Sequence, residues 1–240
     1  MTPLQFSTQT KMAIDIVICI DDTGSMAPCI EKVKRNALEF YKYLLTELPQ
    51  VNRTVEEMRI KVIRFGDLED GPNAISESKF FEISNEERND VDEYQNFING
   101  IDANGGGDEA ENALEALALA IKTKWTRKST KRRHIIMLFT DAPALLLGAR
   151  KGCIGYPENM PSSLAELKVL WDSEPSPQAL EGLQSKNRRL LIYAPSDEGS
   201  WDIIGKDWKY ANVKPVQLNE GGTEINIQDV KDFLLASSSD

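Results

Sequence analysis

The sequence predicts an α/β chain, in which a mainly parallel, doubly wound sheet carries helices on both faces. Three observations carry this. Short apolar segments alternate with longer amphipathic ones along most of the 240 residues, the order that builds parallel sheets through crossover helices. Two strand segments, "AIDIVICI" and "HIIMLF", are apolar almost throughout rather than at every second position, as expected when both faces are covered. Both run straight into acids, Asp21 and Asp141, so polar chemistry gathers beyond their carboxyl ends.

The elements follow in order. Ala13–Ile20 is the first strand. The first helix spans Pro28–Leu48, where Met26, Ile30, Val33, Ala37, Tyr41, Leu44 and Leu48 recur at steps of three and four. Pro28 suits its first turn and Pro49 ends it. A second strand, Met58–Leu68, and a third, Ser78–Ser84, flank the turn signal "EDGPN". With no room for a helix between them they run antiparallel, which makes one antiparallel edge. A short helix covers Val91–Asn99. The loop "DANGGGDEAEN" then supplies three consecutive glycines, Gly105, Gly106 and Gly107, which permit close backbone approach. The helix after it places Ala110, Leu114, Leu117 and Ile121 on one face.

His134–Pro143 is the fourth strand. The long segment 142–188 holds a helix over Leu164–Asp172, entered through a capping box from Ser163 to Glu166, and helical turns around Gln178–Leu183. Arg188–Pro195 is the fifth strand. Val213–Leu218 is the sixth, placed on an edge because Pro215 cannot donate to a ladder. A last helix, Ile227–Ala236, is capped by Asn226. No repeat or linker divides the chain. The expectation is one Rossmann-like, three-layer domain over 1–240, with a six-stranded sheet and loose ends at 1–11 and 237–240.

Composition narrows the partners. A formal net charge of −10 repels nucleic acid and anionic membranes. The basic stretch Arg127–Arg133 reads as a solvated loop feeding a strand. No apolar run approaches a bilayer span, and the first residues lack the features of a signal peptide. Three cysteines, Cys19, Cys29 and Cys153, suggest neither a disulfide framework nor a zinc site and fit a reducing, cytoplasmic setting. A monomer is expected.

In open parallel sheets, ligands bind beyond the strand carboxyl ends where strand order reverses. Asp21, Thr23 and Ser25 close the first strand, Asp141 closes the fourth, and Asp108 lies in the glycine-rich loop on the same rim. Carboxylates and hydroxyls without convergent His or Cys select hard cations: Mg²⁺ or Mn²⁺ ahead of Ca²⁺. As plain structure, the same residues would be turn formers and a helix cap.

Asp21-Asp22-Thr23-Gly24-Ser25 and Thr140-Asp141-Ala142-Pro143 together resemble the metal-ion-dependent adhesion site of von Willebrand factor A-type domains. That family writes Asp-x-Ser/Thr-x-Ser after the first strand and an Asp after the fourth. The "DxTGSM" form is common to intracellular members, and the 142–188 segment resembles an elaboration of bacterial ones. The resemblance implies a binding module rather than an enzyme. Asp21, Thr23, Ser25, Asp108 and Asp141 would hold Mg²⁺, leaving one position for an Asp or Glu of a protein partner. The family's middle-loop Thr is missing here; Asp108 takes its place, with Gly107 the competing alignment. Asp22 and Gly24 would be spacers that point away, with Gly24 kept small for the bend. Tyr156, Pro157 and Trp171 stand beside the rim, with Trp171 read as core.

Two rivals remain. A Mg²⁺-dependent phosphatase or phosphotransferase also places acids at strand ends. Phosphatases of the haloacid-dehalogenase type need Asp-x-Asp, and Thr23 stands where the second Asp belongs. Response-regulator receivers need a Lys after a late strand, and "LLIYAPSDEG" has none. His134, the single histidine, sits at a strand start, far from serving Ser25 as a base. The other rival is a metal-free scaffold.

Overall fold

The computed structural model describes residues 10–47, 53–83, 89–106, 110–127, 131–179, 181–196 and 199–215. Its centre is β1 (Thr10–Asp21). Met12, Ile14, Ile16, Ile18 and Ile20 face one core layer, and Val17 and Cys19 face the other, the two-residue period of a strand covered on both sides. Parallel to it lie β2 (Arg53–Phe65) on one flank and β5 (Arg132–Phe139) on the other. Beyond β5 come β6 (Arg188–Ala194) and β7 (Ala211–Pro215), both parallel. The free flank of β2 carries two short antiparallel strands, β3 (Ile75–Glu77) and β4 (Phe81–Glu82). These pair with successive parts of β2 and share one edge of the sheet.

Five α-helices lie within the described residues: α1 (Ile30–Glu47), α2 (Val91–Asn99), α3 (Ala113–Lys122), α4 (Leu164–Asp172) and α5 (Ser200–Asp207). α1 and α2 cover the face that holds Ile14 to Ile20, and α3, α4 and α5 cover the opposite face. α3 is buried almost all round, because α4 and the segment before it cover its outer side; this explains its many alanines. Chain order runs outward from β1 through β2, then returns to β5 and continues outward through β6 and β7. The reversal falls between β1 and β5, which fixes where a ligand crevice opens.

The expected architecture stands, with local corrections. α1 begins at Ile30 rather than Pro28, because Gly24–Met26 form a 3-10 turn and Pro28 lies in the turn between them. The single third strand, Ser78–Ser84, is replaced by β3 and β4, since the Ser78 hydroxyl intrudes to accept the Val62 N–H. Of the helical turns expected around Gln178–Leu183, the described residues keep one turn at its start, closed by the Ala179 N–H donating to Ser176 O. Glu181 instead bridges Thr126, and Gly182 N–H donates to Trp125 O.

The sequence reading missed α5, where Gly205 looks like a breaker. Gly205 sits there because a Cβ would meet the Val213 side chain at 3.2 Å. β1 starts at Thr10, inside the stretch expected to be loose. The basic stretch is not simply solvated: Arg127 donates to Ser176 O and Ala179 O, and Arg132 to Gln184. The last helix, Asn226, Leu48, Pro49 and the rest of the sixth strand lie outside the described residues. No described helix is long and apolar enough to cross a membrane.

At the amino ends of the strands, a buried polar node anchors the sheet. Asp15 has no exposed surface and accepts both nitrogens of a fork from Arg59, at 2.9 and 2.6 Å, and the Thr126 N–H at 2.7 Å. His134 is also fully buried, with Nε2–H donating to Thr126 O at 2.9 Å and its ring against Trp125. Burial disfavours its cation and holds its pKa at about 4, below the usual 6.5. In that window the unfolded chain binds a proton that the folded chain refuses. The contribution of His134 to stability is therefore fully present above pH 6.5 and is lost as pH falls toward 4, by roughly 3 kcal/mol. Urea midpoints measured across this window should fall more for the wild type than for His134→Gln.

Candidate metal centre

The register of β1 against its neighbours places Asp21 opposite Phe65 and Ile20 opposite Phe139. The next residues of three loops therefore meet at one rim. Asp21 is fully buried, and its carboxylate is satisfied from two loops. Oδ1 accepts the Thr23 hydroxyl at 2.6 Å and the Thr23 N–H at 3.0 Å, and Oδ2 accepts the Thr140 hydroxyl at 2.6 Å. Thr140 Oγ1 in turn accepts the Ala142 N–H. Ser25 donates to Asp141 Oδ1 at 2.9 Å, and Thr23 Oγ1 lies 3.1 Å from Ser25 Oγ. Four of the five residues read from the sequence, Asp21, Thr23, Ser25 and Asp141, are thus joined in one chain of contacts. Asp108 and Gly107 lie outside the described residues.

The spacers do separate work. Asp22 forms an ion pair with Arg64 at 3.0 Å, and its backbone binds Phe65 O and Asn104 N–H. Gly24 stays small for a reason other than the bend. Its N–H donates to Gly105 O at 2.9 Å, and a Cβ there would stand 3.0 Å from that oxygen. Gly106, at φ +79°, leaves no room either: a Cβ would sit 3.0 Å from Thr23 Cβ. Asp70 secures this loop by accepting the Gly106 N–H at 2.5 Å.

Glu111 is the residue that the sequence reading passed over. It is 2% exposed, its Oε1 lies beside Gly106, and its backbone pairs with Pro143 O and the Leu145 N–H. Burial, and then Asp21, Asp67, Asp70 and Asp141, push its pKa up to about 8. Its only signal in the sequence was an acid at the foot of a helix, indistinguishable there from ordinary dipole complementation. Burial also raises Asp21 to about 6, against the hydrogen bonds it accepts from Thr140 and Thr23, and raises Asp141.

The donor set fits a hard cation. Thr23 and Ser25 own two hydroxyl protons, and these serve the two carboxylates. Their mutual contact at 3.1 Å then sets lone pair against lone pair. Among the described residues, the buried carboxylate oxygens without a hydrogen-bond partner are Glu111 Oε2 and Asp141 Oδ2, and both belong to this rim. No three Asp, Glu, His or Cys side chains among the described residues converge to hold an ion by themselves. An ion held here would need the Thr23 and Ser25 hydroxyls as donors.

The segment after Asp141 walls the rim. Arg150 grips Asp67 with two nitrogens and reaches Glu69 at 2.6 Å. Burial raises the Asp67 pKa, but Arg150 overcomes this and the net shift is downward. Glu115, fully buried, accepts the Gly148 N–H and the Tyr156 hydroxyl, both at 3.1 Å, and an Asn112 N–H at 3.2 Å. Asn112 Oδ1 accepts the Leu68 N–H. Trp171 is core, stacked on Trp208. The α4 capping box closes one residue early, with Glu166 accepting the Ser162 N–H while Ser163 accepts that of Glu166.

A family model described as von Willebrand factor type A domain matches residues 16–143, which include both motifs. The chain is 26% identical over 159 residues to alpha-protein kinase vwkA of Dictyostelium discoideum, covering 66% of this chain and 23% of that protein. Its fold is similar to that of the pilus adhesin SpaC from Lactobacillus rhamnosus GG (TM-score 0.55, 13% identity, 92% of this chain and 30% of that one). It is also similar to a von Willebrand factor type A structure from Catenulispora acidiphila (TM-score 0.50, 14% identity, 93% and 41%). The chain therefore spans less than half the length of each of these proteins.

The Arg150 clamp is testable on its own. Arg150→Ala strands Asp67 beside Glu111 and should cost about 3 kcal/mol in chemical denaturation. Adding Asp67→Asn should recover more than half of that loss, read as a double-mutant cycle.

Proposed function

Because the chain belongs to the von Willebrand factor type A family, typically a protein-interaction module, we propose that it binds a protein partner through a divalent cation at this rim. Mg²⁺ is the favoured ion, with Mn²⁺ and Ca²⁺ as substitutes. Thr23 Oγ1, Ser25 Oγ and the unpaired Asp141 Oδ2 and Glu111 Oε2 would hold it, with Asp108 as a further donor. A bound ion supplies a hard, doubly positive centre with a position for a partner's Asp or Glu.

The observation that carries this reading is the pairing of two orphan carboxylate oxygens with two hydroxyls whose protons are already committed. A turn built only for structure would leave neither. Asp21 serves by fixing its neighbours: it draws the Thr23 proton away from the rim and ties the 140–142 loop to the first. Asp22, paired with Arg64, stays out of the donor set.

The same proposal gives the chain no catalytic activity. His134 is buried at the opposite end of β5 from Asp141, and no second acid takes the place of Thr23. Three free cysteines accord with a reducing compartment, so a cytoplasmic location belongs to the proposal too.

Titration calorimetry with Mg²⁺ and Mn²⁺ tests the site. Asp141→Ala and Asp21→Ala should weaken binding about 100-fold, and Ser25→Ala and Glu111→Gln about tenfold. Asp22→Ala should stay within about threefold of wild type, since its partner is Arg64. Equal heats from wild type and Asp141→Ala would remove the site.

A further inference from the structure

The amino ends of β5, β6 and β7 gather cations in a chain whose formal net charge is −10. Lys131 directly precedes β5, Lys186 lies two residues before β6, and Lys209 lies two residues before β7. Backbone bonds hold these approaches side by side: His134 N–H donates to Asn187 O, and Leu190 N–H to Tyr210 O. Neighbouring strands lie about 4.8 Å apart, so the three starts span about 10 Å. Lys124 joins them just past α3, where its carbonyl accepts from Arg59. All four lysines are exposed, and none forms an ion pair with another described residue.

Arginines add to this charge. Arg127 donates to Ser176 O and Ala179 O, Arg132 to Arg127 O and Gln184 Oε1, and Arg189 to Lys186 O. These acceptors are neutral, so the bonds fix the guanidinium groups without cancelling charge. Burial, and then repulsion from Arg127, push the Arg132 pKa down. Acids are present too. Asp172 is shared between Lys168 and Arg188, Glu174 accepts the Ser185 N–H, and Glu181 and Asp207 are exposed. Toward β2, Glu56 pairs with Lys11, and Glu57 and Asp15 pair with Arg59. Around the starts of β5, β6 and β7 the described cations still outnumber the described acids. Tyr210 stands beside Lys209 at φ +63° and 45% exposed, its ring 4.6 Å from the Arg189 guanidinium. That backbone is uncommon for an aromatic residue, and Tyr and Arg are favoured at protein interfaces.

We propose that this amino-end patch is a docking surface for a short acidic segment of a protein partner. Lys131, Lys186 and Lys209 face its carboxylates, and Tyr210 meets its apolar atoms. Reach decides the class of partner. At physiological salt, exposed charges are screened beyond about 8 Å, so a short segment feels the patch alone. A nucleic-acid duplex or an anionic membrane extends past it, onto a surface whose net charge repels it. The patch is independent of the cation reading, since the eight residues of β5 separate it from the rim by about 26 Å.

The probe is a labelled short peptide of alternating Glu and Gly, titrated with the full chain by fluorescence anisotropy at physiological salt. A chelator is present throughout, so no ion at the rim contributes. Lys131→Glu and Lys186→Glu should each weaken binding about fivefold, and Tyr210→Ala about threefold. Lys151→Glu makes the same change of charge on the exposed segment beside the rim, and binding should stay within about twofold of wild type. An equal loss from Lys151→Glu would mean that net charge alone acts, and would overturn the proposal. So would an absence of binding, or a short DNA duplex or phosphatidylserine vesicle held more tightly than the peptide. Sedimentation velocity checks the remaining occupant. Self-association of the wild type that disappears in Lys186→Glu would assign the patch to a second copy and overturn the partner reading.

Discussion

Asp21 is a carboxylate with no exposed surface at the end of the central strand, and much of the rim is arranged around that fact. An isolated buried carboxylate is costly, so its oxygens must be met by donors. Thr23 meets one and Thr140 the other, which binds the loop after β1 to the loop after β5 across the strand reversal. The parallel register then needs only to bring these ends level. Once they are level, Ser25 and Asp141 fall within hydrogen-bonding distance as a consequence.

Much of this was legible in the sequence, for identifiable reasons. Strands apolar on both faces reveal a covered sheet, and the capping box of α4 marks its start. α5 was hidden because Gly205 serves packing against Val213, a contact between elements that no local pattern records. β3 and β4 were merged because the interruption comes from the Ser78 side chain. At the rim, spacing was enough to name Asp21, Thr23, Ser25 and Asp141. Glu111 was not visible, since its importance comes from burial beside other acids, which only tertiary structure creates.

Opposing acids are balanced here by specific cations rather than by dilution in solvent. Arg64 answers Asp22, and Arg150 answers Asp67 and Glu69. Arg150 comes from the segment that forms the wall, so the ion pair that neutralises the rim also holds the wall against it. At the far end of the sheet, Arg59 answers Asp15 in the same manner. Glu111 and Asp141 are left with an unmet oxygen each, and both lie where the proposed ion would sit.

The backbone contacts between loops have a consequence for anyone who would transplant this rim. Gly24 lies under Gly105, Gly106 lies against Thr23, and Asp70 holds Gly106 in place. The five residues from Asp21 to Ser25 are therefore shaped by pieces of chain far away in sequence. Grafted alone into another scaffold, "DDTGS" would carry a turn and not a binding site. The smallest transferable unit is a set of interlocked loops, moved together with the strand ends that hold them level.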